Sequence, residues 1–295
     1  MMQVVMSWSP RLTQDGSYTF FSEEFGETFH SVQGAKAEAF QKFVAVTDLV
    51  TKAQRSSLRI LDVCYGLGYN TAAALETILT INPDCRVELY GLEQDPTVPL
   101  GALVPELLAQ WSPQVQTVLS QLAQAHVVQR EGLTAQLWMG DARQSMQQLR
   151  QQGFQADAIF FDPFSPQRCP QLWTVEFLQV TAQCLAPDGK LATYSRSAAV
   201  RTALLTAGLC VGTLPPPTQP LPHEWAQGTV AAWQPDGLLP LSPMEQEHLQ
   251  TRAAVPFRDP TLSGAAAVIL SRQRQEQEQC RLESTSAWRR RWHIR

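Results

Sequence analysis

Leu58-Arg59-Ile60-Leu61-Asp62-Val63-Cys64-Tyr65-Gly66-Leu67-Gly68-Tyr69-Asn70 is the stretch that decides the fold. An apolar run closes on an acid, two glycines follow, and residues 70–79 continue as an apolar helix ended by Asn82-Pro83. Strand, glycine turn and helix in that order let backbone approach a nucleotide-like ligand closely, because glycine has no Cβ and accepts positive φ. Such turns also join strands to helices with no ligand, so the decision falls to the later strand ends.

Those ends carry the matching chemistry. Residues 87–93 read as a strand closing on Glu93, 27 residues after Gly66, where an acid can accept hydrogen bonds from ribose hydroxyls. Residues 135–139 lead into Gly140-Asp141, and residues 156–161 into Asp162. Near-continuous apolar strands of this kind are covered by helices on both faces, and their carboxyl ends form the crevice where such folds bind ligands. The alternative for each acid is a helix cap at a strand exit.

The same turn separates two ligand classes. A dinucleotide fingerprint needs a third glycine three residues after Gly68, and Thr71 stands there. Acids around the turn repel a pyrophosphate and attract a cation, which suits the sulfonium and ammonium of S-adenosylmethionine.

Length and composition agree with a globular protein. The 295 residues, 44% hydrophobic, suffice for one main domain with terminal additions. No 18-residue apolar run occurs and the start lacks the order of a signal peptide, so a cytoplasmic location with no membrane contact is expected. The six cysteines are scattered, without a C-x-x-C pair, and no metal site is expected; Cys64 lies beside the glycine turn but reads as a near-core residue. The net charge of −4 conceals an asymmetry: residues 271–295 hold seven arginines against three glutamates. The closing Ala287-Trp288-Arg289-Arg290-Arg291-Trp292-His293-Ile294-Arg295 either offers guanidiniums and indoles to nucleic acid or is a solubilising tail with two docked tryptophans.

Along the chain, residues 1–35 read as short strands and turns around Asp15-Gly16-Ser17, and 35–50 as one helix. Residues 96–127 read as mostly helical, 141–151 and 173–184 as helices, and Ala186-Pro187-Asp188-Gly189 as a turn into a fifth strand at 190–195. A helix at 198–207 stops at Gly208; strands at 209–214 and 228–233 form a closing hairpin whose loop holds Pro215, Pro216, Pro217, Pro220 and Pro222 and lies over an edge or mouth. A helix at 243–252 and a final helix rich in alanine, arginine and glutamine follow. The expected division is 1–57 as N-terminal strands and leading helix, 58–235 as core, and 236–295 as appendage with a basic end.

Several local strings carry a more specific resemblance. They are Thr13-x-Asp15-Gly16-Ser17-x-Thr19, Gly26-Glu27-x-Phe29-His30-Ser31-x-x-Gly34-Ala35 with Glu38, the turn from Asp62 to Asn70, Gly140-Asp141-Ala142, Phe161-Asp162-Pro163-Phe164-Ser165-Pro166 with Trp173, Leu191-Ala192-Thr193-Tyr194-Ser195 and Val200-Arg201. In these, residues 13–233 resemble the methyltransferase domain of the bifunctional tRNA 5-methylaminomethyl-2-thiouridine biosynthesis protein, MnmC, and its stand-alone family members. Where that family often has Asp-Gly-Phe-Ala-Pro, this chain has Asp162-Pro163-Phe164-Ser165-Pro166, and its familiar basic run after Gly208 is replaced by apolar and proline-rich sequence.

The resemblance implies an α/β Rossmann-like methyltransferase with a mostly parallel seven-stranded sheet, helices on both faces, N-terminal strands and a C-terminal helical appendage. It implies methyl transfer from S-adenosylmethionine to the exocyclic amine of 5-aminomethyl-2-thiouridine at the tRNA wobble position. No FAD is expected, since no second dinucleotide fingerprint is present, so a separate enzyme would make the aminomethyl substrate.

The expected cofactor residues are Glu38, Asp62, Gly66, Gly68, Asn70, Glu93, Asp141 and Asp162, with Glu93 at the ribose and Asp141 at the adenine amine. Asp162 is the expected catalytic group, as base or as orienter of the amine. His30, Phe164, Pro166 and Trp173 are the expected substrate contacts, the aromatic ones by stacking on the base. Arg201 reads as a surface charge of its helix with no assigned role. Competing readings are methylation of another modified base, a small amine or a protein, a nicotinamide-dependent oxidoreductase of similar fold, and a non-catalytic RNA-binding module.

Overall fold

The computed structural model describes residues 8–215 and 227–294, so most of the proline loop expected before the last strand lies outside the described residues. The chain divides into two units, one of Met1–Ser145 with Ala158–Phe164, the other of Met146–Asp157 with Ser165–Arg295. The helix Ala142–Gln151 and the strand Ala156–Phe161 each have residues in both units.

The first unit opens with four short strands, β1 (Arg11–Leu12), β2 (Tyr18–Thr19), β3 (Phe21–Ser22) and β4 (Glu27–Thr28), paired as two antiparallel hairpins. Asp15 ties the first turn to the segment beyond β4: Oδ1 accepts from the Ser17 amide (3.0 Å) and Thr13 hydroxyl (2.7 Å), and Oδ2 from the Ala37 amide (2.9 Å). Burial opposes ionisation there, but the Ser17 hydroxyl (2.6 Å) and these other donors together hold the carboxyl down to about 2.

The single helix expected at 35–50 is broken. It consists of α1 (Ala35–Glu38), a π-helical run (Ala39–Val44) and, beyond Asp48 at φ 57°, α2 (Leu49–Lys52). Thr47 turns its hydroxyl back onto the Phe43 carbonyl (2.7 Å), and the left-handed Asp48 ends the run.

The core then alternates: β5 (Ser57–Val63), α3 (Tyr69–Ile81) and β6 (Arg86–Glu93). The long helical stretch expected at 96–127 is three helices, α4 (Thr97–Gly101), α5 (Pro105–Leu108) and α6 (Pro113–Ala125), the last two started by prolines at a first helical position. A strand not foreseen, β7 (Val127–Arg130), turns at Gly132 (φ 75°) and pairs antiparallel with β8 (Leu133–Met139). Then come α7 (Ala142–Gln151) and β9 (Ala156–Phe161). The strand order here is β9-β5-β6-β8-β7, parallel except for β7 at the edge.

In the second unit a 3-10 turn (Pro170–Trp173) precedes α8 (Val175–Gln183), capped by the Thr174 hydroxyl on the Phe177 amide (3.3 Å). Strand β10 (Leu185–Thr193) absorbs the expected 186–189 turn, and α9 (Ala198–Thr206) follows it. The expected closing hairpin is β11 (Cys210–Thr213) against β12 (Thr229–Ala232), with strand order β11-β12-β10. Among the described residues the main sheet therefore counts eight strands; β7 is the one beyond the seven expected.

The appendage holds α10 (Pro243–His248), a 3-10 turn (Arg252–Ala254), α11 (Ala266–Gln279) and α12 (Thr285–Arg291). Arg201 is not a surface charge: it is fully buried, paired with Glu245 (2.8 Å) and bonded to the Gly228 carbonyl and Thr229 hydroxyl (3.0 Å each). The tryptophans of the basic end are docked, Trp288 stacked on His248 at 4.1 Å and Trp292 bonded to Glu247 (2.8 Å).

Candidate active site

Register brings the predicted acids to one edge of the first unit. Val63 lies opposite Leu92 on one side and Phe161 on the other, and Glu93 lies opposite Met139, so Glu93, Asp141 and Asp162 leave the sheet on the edge that carries the glycine turn. The turn is left-handed at Cys64 (φ 67°), Gly66 (φ 55°) and Gly68 (φ 79°), and the Gly68 amide closes it on the Tyr65 carbonyl (2.9 Å). A Cβ on Gly66 would stand 3.3 Å from the Phe29 ring, and one on Gly68 only 2.6 Å from the Tyr65 hydroxyl oxygen.

Glu93 is wired into this turn. Its Oε2 accepts from the Gly66 amide (2.8 Å) and Oε1 from the Gln94 and Asp95 amides (2.8 and 3.0 Å). Burial raises its pKa despite these donors. Asp62, buried beneath the turn, accepts the Thr71 amide (3.1 Å) and hydroxyl (2.7 Å) on Oδ2, while Oδ1 is buried without a partner. Burial pushes its carboxyl up to about 7. Asn70 donates Nδ2 to Asp162 Oδ2 (2.9 Å), and its own Oδ1 is likewise buried and unpartnered.

Burial, and after it the charge of Glu38, push the Asp162 carboxyl well above the usual carboxylate range. Glu38 is held the other way: burial opposes its charge, but Lys42 (2.7 Å) and the Ser31 amide (3.0 Å) lower its pKa. Two carboxyls with opposite tendencies thus face one another electrostatically, and the one with the raised pKa is the one at the strand end.

The remaining predicted residues are distributed unevenly. His30 packs edge-on against Tyr69 (4.8 Å) with Nδ1 3.3 Å from the Thr19 hydroxyl, and burial lowers its pKa to about 4, so the ring is neutral and part of the packing. Both oxygens of Asp141 are taken by Arg143, through Nε (3.1 Å to each) and Nη2 (2.7 Å), so a ligand amine there would share the carboxylate with that guanidinium. Phe164 stacks on Phe25 (4.3 Å, 16°) and meets Phe29 edge-on (5.0 Å). Pro166 and Trp173 belong to the second unit; Trp173 is fully buried, edge-on to Tyr194 (6.2 Å), and presents no face for stacking.

Arg143, Phe25 and Phe29 were not foreseen. Arg143 had a local signal, a cation two residues after a strand-end acid; Phe29 stood inside a recognised string, and Phe25 had none. Among the described residues, no group of three or more histidine, cysteine or acidic side chains stands so as to hold a metal ion. No helix of the described residues is long and apolar enough to cross a membrane.

The edge offers a ligand acceptors, namely the Glu93 carboxylate, two orphan buried oxygens, and a cradle that only glycine leaves open. That set of acceptors fits a group with ribose hydroxyls, a sulfonium and an ammonium, and its buried oxygens would repel a pyrophosphate. Comparison with known proteins agrees. Residues 105–219 match the family described as S-adenosyl-L-methionine-dependent methyltransferase. The crystal structure of MNMC2 from Aquifex aeolicus is similar with a TM-score of 0.81 at 32% identity, over 92% of this chain and 86% of that one.

The tRNA 5-methylaminomethyl-2-thiouridine biosynthesis bifunctional protein MnmC of Paracidovorax citrulli is 32% identical over 260 residues, 82% of this chain and 38% of that protein. The uncharacterized protein MJ0670 of Methanocaldococcus jannaschii is 28% identical over 209 residues, 68% and 53% respectively. The chain thus spans about half or less of the length of these curated relatives. Fold and site together define an S-adenosylmethionine-dependent methyltransferase of the α/β Rossmann-like kind. Within that class, the chain belongs to the MnmC family.

Proposed function

We propose that this chain methylates the exocyclic amine of 5-aminomethyl-(2-thio)uridine at the wobble position of tRNA, in the cytoplasm, on substrate made by a separate enzyme. The support is twofold: relatives that carry this biosynthesis in their names, and Asp162, a carboxyl of raised pKa held by Asn70 beside the glycine turn. Of the structural observations, Asp162 is the one that carries the reading. The cofactor, when bound, supplies an electrophilic methyl group.

The chain's own residues do the rest. Gly66 and Gly68 leave room for the ligand; Glu93 receives ribose hydroxyls, and Asp141, shared with Arg143, the adenine amine. Asp62 Oδ1 and Asn70 Oδ1 are buried acceptors suited to the ammonium end, with Glu38 contributing charge beside them. Asp162 orients the attacking amine and takes the proton that nitrogen releases; a carboxyl whose pKa lies above the usual range is better matched to that transfer near neutrality. Phe164 stacks on the target base if Phe25 yields its place.

Incubation with labelled S-adenosylmethionine and tRNA from cells lacking this chain, followed by nucleoside digestion, should put label on 5-methylaminomethyl-(2-thio)uridine. Label found only on a metabolite, a protein or another nucleoside would reject the assignment. Asp162→Ala should abolish transfer while cofactor affinity by calorimetry stays within about tenfold of wild type, the loss being one of positioning and proton transfer.

A further inference from the structure

A net charge of −4 gives this protein no general attraction for a polyanion, so any RNA contact has to come from a local patch. The basic end supplies one. Helix α12 is docked through its Trp288 side: Trp288 is buried, stacked on His248 (4.1 Å, 11°), with its Nε1 donating to the Met244 carbonyl (3.1 Å). Arg291 forks between Glu283 (2.7 and 2.9 Å) and Glu247 (2.9 Å), and Trp292 donates to Glu247. Residues 288, 291 and 292 share one helical face, and the chain entering the helix is tied down by the Arg252 amide on the Glu283 carbonyl (2.8 Å).

That docking uses one arginine of the triplet and both nearby glutamates. Arg289 and Arg290 lie outside the face formed by 288, 291 and 292 and are exposed; among the described residues neither forms an ion pair, although Arg289 is near enough to His248, and Arg290 to Glu283, to bear on their charge. Arg196 and Arg289 both bear on His248: burial, then Arg201, Arg289 and Arg196 in turn, lower its pKa to about 4. The imidazole is therefore a neutral stacking partner for Trp288 and adds no charge of its own. Ser286, also exposed, accompanies the two outward arginines, while both indoles of the segment turn inward, so the outward side lacks the apolar anchors a lipid surface would need.

We infer that the outward side of α12, with Arg289 and Arg290 at its centre, is a surface for the phosphate backbone of RNA, an inference that rests on tRNA being the substrate. Guanidiniums fixed on a docked helix meet phosphate oxygens with two parallel N–H bonds and less ordering cost than on a free tail.

The test is tRNA binding by the full chain as a function of salt. R289E/R290E should weaken binding about tenfold or more at moderate salt and flatten the log–log salt slope by roughly 1.4–1.8, the value for two lost phosphate contacts. R289K/R290K should retain most of the slope. Affinity for S-adenosylhomocysteine and the melting temperature should be unchanged in both variants, which separates a lost contact from lost fold. If wild type binds tRNA and R289E/R290E binds it with the same affinity and slope, α12 is a docked tail and the inference fails. If wild type binds no tRNA while still binding the cofactor, the substrate reading itself falls.

Discussion

Gly68 sets the strictest demand of any single residue at the site. Its φ of 79° costs an L-residue roughly 1–2 kcal/mol, and its Cβ would press on the hydroxyl of Tyr65, which is itself buried. Gly68→Ala should lower stability in urea by at least about 1 kcal/mol and weaken cofactor binding, whereas Gly16→Ala, left-handed but with open space around it, should show only the backbone cost and bind normally. Asp62 makes a different prediction. Unfolded, its carboxyl loses its proton near the ordinary 3.8; folded, near 7. Between those values the folded state holds the extra proton, so stability falls as pH rises from about 4 to 7 and levels above it, by on the order of 4 kcal/mol from this group. Asp62→Asn should flatten that fall, measured as unfolding free energy of the ligand-free protein across pH; an unchanged profile would contradict it. Asp62, Glu93, Asp141 and Asp162 were legible because each ends an apolar run. Their partners were less so: Gly66 reaches Glu93 across 27 positions and Asn70 reaches Asp162 across 92, and no local pattern encodes such pairings.

Helices and strands were read well where one face is continuously apolar, as in β5, β6, β9 and α3, and poorly where the chain bends on polar detail. The break of the 35–50 helix depends on Thr47 and a left-handed Asp48, which hydrophobic period does not register. Strand β7 was missed because its four residues, of which only Val128 is buried, carry too little alternation to stand out. Arg201 on α9 was misread for a related reason: its partner Glu245 lies on α10, 44 residues on. Glu245 also completes a capping box with Ser242 and accepts the Thr213 hydroxyl (2.8 Å), so one carboxylate joins α9, β11 and the start of α10. Glu245→Gln should destabilise by about 3 kcal/mol, since it leaves a buried guanidinium without its counter-charge. The double change R201M/E245L should recover much of that loss in chemical denaturation, because both charges leave together.

At the scale of the molecule, every residue proposed to touch the cofactor lies in the first unit, and α12 with its outward arginines lies in the second. Saturation with S-adenosylmethionine at about 100 times its Kd should therefore add roughly 2.7 kcal/mol to the first unit, seen as slowed amide exchange around residues 62–71 and 93–95. Protection confined to α10–α12 would contradict the assignment. That the class of enzyme was legible from sequence while this apportioning was not has a physical cause: strand-end chemistry is local, but units are defined by which segments pack together. The first unit closes only with Ala158–Phe164, returned after an excursion through Met146–Asp157. A nascent chain on the ribosome consequently lacks β9, and with it Asp162, until translation has passed residue 162, so a truncated transcript ending before that point would yield a polypeptide without a finished core for quality control to remove.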